Sequence, residues 1–127
     1  MKTNFRKFVT ASGKLLLAGK DAQSNEALVK QASQAELVLH TKAPGSPFVN
    51  IKSNKPDKDD IKEAAIFCAK YSQAWKKCKV KKDILIHIFL GKNIHKTKEM
   101  KTGMFSVSKF KEIKVRKEDI EKFKEEK

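Results

Sequence analysis

Residues 37–52, Leu-Val-Leu-His-Thr-Lys-Ala-Pro-Gly-Ser-Pro-Phe-Val-Asn-Ile-Lys, place two apolar runs on either side of a Pro-Gly-Ser-Pro turn. The pattern predicts a strand, a tight connection and a second strand. Strand side chains alternate, so Val38, His40 and Lys42 share one face of the first strand and Leu37, Leu39 and Thr41 the other. In the second strand Phe48, Asn50 and Lys52 oppose Val49 and Ile51. With residues 43–47 as the loop, Lys42 is expected opposite Phe48 and His40 opposite Asn50. Leu37, Leu39, Val49 and Ile51 then pack, while the other face displays imidazole, ammonium, phenyl and amide groups. A surface that meets phosphates and bases needs such a mixture, and a core does not.

Upstream, residues 5–10 and 14–18 read as two strands joined across Ala11-Ser12-Gly13, with Gly19 closing the second. Asp21 is placed to cap a short helix that runs to about Ala32. Downstream, residues 55–59 form a polar connector. Asp60 and Glu63 resemble a capping box at the head of one long helix reaching about Lys77. Its apolar stripe is Ile61, Ala65, Cys68, Ser72 and Trp75, and core packing is the expectation for Trp75. Residues 84–90 are apolar without alternation, as in a strand covered on both faces, which makes His87 a satisfied core histidine. Strands are also expected within 103–107 and 110–115, followed by a charged helix over 117–127 that docks through Ile120 and Phe123. The architecture predicted is α+β, a mostly antiparallel sheet of about five or six strands packed against the long helix. The whole chain, residues 1–127, is expected to form a single domain.

Lysine and arginine total 29 against 15 acidic residues, a formal net charge of +14. That excess favours a polyanionic partner. Only Arg6 and Arg116 are arginines. Lysine meets phosphate as a point charge, whereas bidentate reading of guanine is largely arginine work, so contact with the backbone is expected over sequence reading. Cys68 and Cys78, ten residues apart on one expected helix, would be separated by roughly 15 Å, too far for a disulfide. Free thiols, an N-terminus without an apolar signal segment and the absence of a membrane-length apolar run suggest a soluble cytoplasmic protein.

The His40-Thr41-Lys42 and Pro44-Gly45-Ser46 sequence, followed by a Val/Ile strand ending in Lys52, resembles the central motif of the NFACT RNA-binding domain, NFACT-R. Gly19-Lys20-Asp21 with Asn25-Glu26 is similar to a second motif of that family. Glu63-Ala64-Ala65 with Ser72-Gln73-Ala74-Trp75 is similar to a third, and residues 93–96 with Lys101-Thr102-Gly103-Met104-Phe105 to a fourth. The resemblance spans about residues 5–110. Lys20 stands where the family usually has arginine, and Pro47-Phe48 where many members have histidine. Full-length members carry a further N-terminal domain, a helical module and a coiled coil, so a stand-alone form of the RNA-binding domain is expected.

The resemblance implies binding to tRNA or rRNA on the large ribosomal subunit, in the rescue of stalled nascent chains, and no enzymatic activity. The residues expected to meet RNA are Lys20, His40, Lys42, Gly45, Ser46, Phe48, Lys52, Lys76, His95, Lys96 and Lys101. His40 either faces the ligand or orders the hairpin, and Gly45 and Ser46 either offer an anion nest or serve the turn alone. Asp21 is expected to occupy the helix N-terminus itself, which leaves Lys20 as the better contact there. The three histidines lack metal-ligand spacing, and no phosphate-binding glycine loop occurs, so no metal or cofactor is expected. The other readings are a protein–protein adaptor whose basic face meets an acidic or ribosomal partner, and a DNA-binding module.

Overall fold

The computed structural model describes residues 5–123. In chain order these form β1 (Arg6–Val9), β2 (Leu15–Ala18), α1 (Ala22–Gln31), β3 (Leu37–Thr41), β4 (Val49–Ile51), α2 (Lys58–Lys70), α3 (Gln73–Lys76), β5 (Ile84–Leu90), β6 (Ile94–His95), β7 (Ser106–Val107), β8 (Lys111–Val115) and α4 (Lys117–Lys122). Six strands make one antiparallel sheet in the order β1-β2-β4-β3-β5-β8, and β6 and β7 make a separate ribbon. The α+β architecture is as the sequence predicts. Part of the expected C-terminal helix, residues 124–127, lies outside the described residues.

One sheet face buries Leu16, Leu39, Val49, Ile51 and Ile86 against Ala64, Ala65, Phe67 and Cys68 of α2, with Trp75 and Ile120 joining them. Phe123 docks on Phe8 and Phe67, with ring centroids 5.1 and 5.9 Å away. The opposite face is also covered. Leu17, Val38, Phe48 and Phe89 pack beneath Leu28 of α1 and beneath Ile94, Phe105 and Val107 from the ribbon and the loop before it. The chain is therefore three-layered, and the second face of the 37–52 hairpin is not a free surface.

The register of that hairpin is shifted by two residues from the expected one. Val38 pairs with Asn50 and Leu39 with Val49, which puts His40 across from Phe48. A two-residue shift preserves the faces, because the side-chain period of a strand is two. The shift arises because the end of β3 turns away from β4: the Ser46 hydroxyl accepts the Thr41 N–H at 3.0 Å, and the Lys42 N–H reaches the Leu85 carbonyl at 2.9 Å.

The long helix expected to Lys77 is two helices. Ser72 divides them, its hydroxyl donating to the Ala69 carbonyl at 2.7 Å and accepting from the Trp75 N–H at 3.2 Å. One side chain thereby closes α2 and caps α3, a use that suits serine at a helix end better than in its interior. Cys78 consequently lies past the end of α3, not on a helix with Cys68, and both thiols are free. The head of α2 differs as well. Asp57 is the cap, exchanging hydrogen bonds with Asp60 at 2.8 and 3.0 Å. Asp60 itself is buried, accepting from the Thr10 and Ser12 hydroxyls and from Lys14, while Glu63 accepts the Ala11 N–H. These contacts fasten the β1–β2 turn to the helix.

Candidate nucleic-acid interface

Four stretches far apart in sequence meet at one end of the sheet. Asp21 caps α1 by accepting the Ser24 N–H at 2.8 Å, and this bond holds its carboxyl below the usual carboxylate range. Gly19, just before it, lies so close to α1 that a Cβ would collide with the Asn25 amide. Asn25 in turn accepts the Phe48 N–H at 3.1 Å, and the Gly19 N–H donates to the Phe48 carbonyl at 3.1 Å, so the α1 start and β4 are tied directly. Gly45, at φ +87°, turns the β3–β4 loop and accepts the Gln73 N–H from α3 at 2.8 Å. The Gly103 N–H donates to Glu26 at 2.7 Å. Burial raises the Glu26 carboxyl, but that bond and the Lys96 ammonium at 2.8 Å outweigh it and keep the group ionised below its usual value.

The result is a cleft of about 330 Å³ lined by Lys20, His40, Gly45, Lys76, Gly103 and Arg6, among others. Lys20 and Lys76 are exposed. The Arg6 guanidinium lies 4.2 Å above the Tyr71 ring, and Lys76 approaches that ring at 5.6 Å. Among the described residues, the Arg6 Nε is buried without a hydrogen-bond partner. A buried unpaired donor of a cation is costly.

A second cleft, about 480 Å³, shares His40, Gly45, Gly103 and Met104 with the first. It is aromatic, with Phe48, Phe89, Phe105, Phe110 and His87 in its lining. The His40 and Phe48 rings are 4.5 Å apart, and His87 stacks on Phe110 at 4.1 Å. The His40 Nδ1 lies 2.7 Å from the Thr41 carbonyl, which can only accept, so Nδ1 carries the proton. Burial pushes the His40 pKa down, the Thr41 carbonyl partly opposes this, and neighbouring His87 adds to it. His40 is thus a neutral, half-buried ring near pH 7 and not a phosphate-binding cation. His87 bonds to Glu112 at 2.9 Å, and this contact, more than nearby Lys42, lowers the Glu112 carboxyl.

Of the residues expected to meet RNA, Lys20, His40, Lys42, Gly45, Ser46, Phe48 and Lys76 line one or both clefts. The details correct several expectations. Phe48 is only 6% exposed and Asn50 is fully buried, because α1 and the ribbon cover the face on which alternation places them. The Ser46 hydroxyl is engaged within the loop, accepting from Thr41 and donating to the Pro47 carbonyl. Lys52 is held by Glu36 at 2.7 Å and Gln31 at 2.9 Å. Lys96 secures the 101–104 turn through Glu26 and the Lys101 and Met104 carbonyls, and it sits over the Phe105 ring. His95 contacts Ser108 on the ribbon, away from both clefts, and Lys101 is exposed one residue before the cleft-lining Thr102.

His87 is not a core histidine; it is half-buried at the aromatic cleft, on β5 directly opposite His40 of β3. Arg6, Tyr71, Met104 and Phe110 are cleft residues that the sequence reading did not assign to the site. Arg6 had one signal, being one of two arginines. Cys68 is buried, its thiol pushed up to about 12, and is inert. Among the described residues no group of three or more His, Cys, Asp or Glu is placed to hold a metal ion, and no helix is long and apolar enough to cross a membrane.

The sequence profile of the NFACT protein RNA binding domain matches residues 4–109, which take in every lining residue of both clefts except Phe110. The chain belongs to the NFACT RNA-binding domain family. The archaeal Rqc2 homolog aRqcH of Methanocaldococcus jannaschii is 36% identical to this NFACT domain over 73 residues, covering 55% of the chain and 11% of that protein. The Rqc2 homolog RqcH of Bacillus subtilis is 41% identical over 69 residues, 53% of the chain and 12% of that protein. The chain thus matches a small part of each relative. The C-terminal structure of the fibronectin/fibrinogen-binding protein from Streptococcus suis superposes with a TM-score of 0.82 at 22% identity, covering 98% of this chain and 50% of that one. At that identity the likeness is one of fold.

Proposed function

We propose that this NFACT domain is a binding module without catalytic chemistry, that it engages tRNA or rRNA in a ribosome-associated setting, and that it works as a stand-alone unit. The observation that carries the reading is the convergence of the four family-like stretches on one cleft where Arg6, Lys20 and Lys76 adjoin an aromatic cleft through shared His40. Cations for the phosphate backbone beside stacking surfaces for bases are what RNA recognition uses. The similarity to Rqc2 homologs supports the ribosomal setting. Both clefts are lined within residues Arg6 to Phe110.

The test is ultraviolet crosslinking of the protein in cells, followed by sequencing of the RNA that co-purifies. Fragments of tRNA or rRNA are the expected recovery. A catalogue of proteins alone would point to an adaptor, and recovered DNA to a DNA-binding module; either would overturn this reading.

A further inference from the structure

Two large apolar side chains remain exposed beside the cleft lined by His40 and Phe89. Met104 is 55% exposed and Phe110 is 53% exposed. Val9, Leu15 and Val80 are exposed elsewhere, but among the described residues Phe110 is the one exposed Phe, Tyr or Trp ring, the others being buried or partly buried. Phe110 is pinned on one side by parallel stacking on His87, with centroids 4.1 Å apart and planes inclined by 20°. Its ring is therefore oriented before any ligand arrives. Beneath, Phe48 meets Phe89 and Phe105 edge-on at 6.5 and 5.6 Å, giving the cleft a rigid apolar floor. The cleft volume of about 480 Å³ falls within the roughly 300–1,000 Å³ of small-ligand sites. A pre-oriented aromatic lip over an apolar floor suits a flat ring.

The adjoining cleft supplies cations for the phosphates of neighbouring nucleotides. It carries Arg6, Lys20 and Lys76, and it meets the aromatic cleft at His40, Gly45, Gly103 and Met104. Arg6 in β1 and Phe110 beside β8 lie at opposite edges of the six-stranded sheet, roughly 24 Å apart at about 4.8 Å per strand. A short run of nucleotides can cover that distance, with one base on the aromatic side and neighbouring phosphates on the cationic side. A paired base cannot take that place, because its faces are occupied by its neighbours in the stack and its edge by its partner.

Resting on the RNA-binding reading above, we propose that the site takes one unpaired nucleobase from a bulge, loop or single strand, held against Phe110 and Met104 while phosphates of neighbouring nucleotides meet Arg6 and Lys20. The domain then distinguishes RNA by the presence of an extruded base and not by duplex shape.

The test compares three RNAs in fluorescence-anisotropy titrations of the whole chain: a perfect duplex, the same duplex with one bulged adenosine, and that bulge made abasic. The bulged RNA is expected to bind at least about tenfold more tightly than the duplex, as stacking of one base on an aromatic ring supplies. The abasic form is expected to lose that gain. With 2-aminopurine at the bulge, binding should quench its fluorescence. Phe110→Ala should abolish the quenching and bring the bulge-to-duplex affinity ratio near one, while Phe110→Tyr restores both. Equal, salt-sensitive binding of all three RNAs would overturn the extruded-base proposal and leave the RNA-binding reading standing. No binding to any of them would overturn both.

Discussion

His40 and Phe48 face each other across β3 and β4 with ring centroids 4.5 Å apart, yet they belong to different environments. Phe48 is buried among Val38, Leu28 and Phe89, whereas His40 is half-buried and lines both clefts. One pair of cross-strand neighbours thus joins the second core to the proposed binding surface.

Substitutions of this pair should separate stability from binding. Phe48→Ala is expected to destabilise the fold by about 3–5 kcal/mol, as for a buried phenylalanine. His40→Ala loses one net hydrogen bond to the Thr41 carbonyl, about 1 kcal/mol, and should weaken RNA binding in the folded protein. Thermal melts and an RNA titration on both variants check this. Equal melting temperatures for the two would mean that Phe48 does not hold the second core.

The cationic cleft makes a prediction about salt. If about six phosphates are neutralised, the slope of log affinity against log salt is near −5, and each lost contact reduces it by about 0.7–0.9. Arg6→Ala and Lys20→Ala should each show that reduction. Lys52→Ala should instead lower the melting temperature, since its ammonium is held by Glu36 and Gln31, and leave the slope unchanged. A Lys52→Ala slope as shallow as that of Arg6→Ala would restore Lys52 to the phosphate-binding set.

Asp60 should dominate the acid limb of stability. Hydrogen bonds from the Ser12 and Thr10 hydroxyls, opposed by burial and aided by the Asp57 N–H and Lys14, hold its carboxyl far below the ordinary value of 3.8. A depressed carboxyl stabilises the fold fully above its unfolded value. That contribution is lost as pH falls from there through the lower folded value. Asp60→Asn is expected to lower the melting temperature at pH 7 by roughly 5–15 °C and to flatten its fall below pH 4. Melting curves from pH 7 to pH 2 for both proteins decide the matter; parallel acid limbs would remove Asp60 from the account.

For His40, burial depresses the imidazole below its ordinary value of 6.5. The fold is accordingly most favoured with His40 neutral, and its contribution is lost as pH drops below 6.5 through the folded value. A nuclear magnetic resonance titration of the His40 ring should give a midpoint below 6.5. A midpoint above 6.5 would show a charged histidine able to meet phosphate directly.

The strands other than β6, the cap at Asp21, the α+β class and the sharing of faces within residues 37–52 were legible in the sequence. Each follows from local rules, namely side-chain alternation, turn residues and capping. The family motifs were legible too, but their meaning was not. Gly19 and Asn25 read as parts of a family motif, and in the fold they fasten α1 to β4. Lys52 and Lys96 read as free cations, and in the fold they are tied to Glu36 and Glu26.

What the sequence by itself determined is therefore most of the elements, the positive charge and which side chains share a strand face, while the split of the long helix at Ser72 and the strand β6 were not read from it. The tertiary structure decided which of those faces is covered. Alternation assigns Phe48 and Asn50 to one side of the hairpin, but α1 and the β6–β7 ribbon close over them from outside that hairpin. It also decided the site, because Arg6, Lys20, His40, Lys76 and Phe110 come together only once the sheet order β1-β2-β4-β3-β5-β8 is set. Strand order and layer packing depend on contacts between residues distant in sequence, and no local periodicity encodes them.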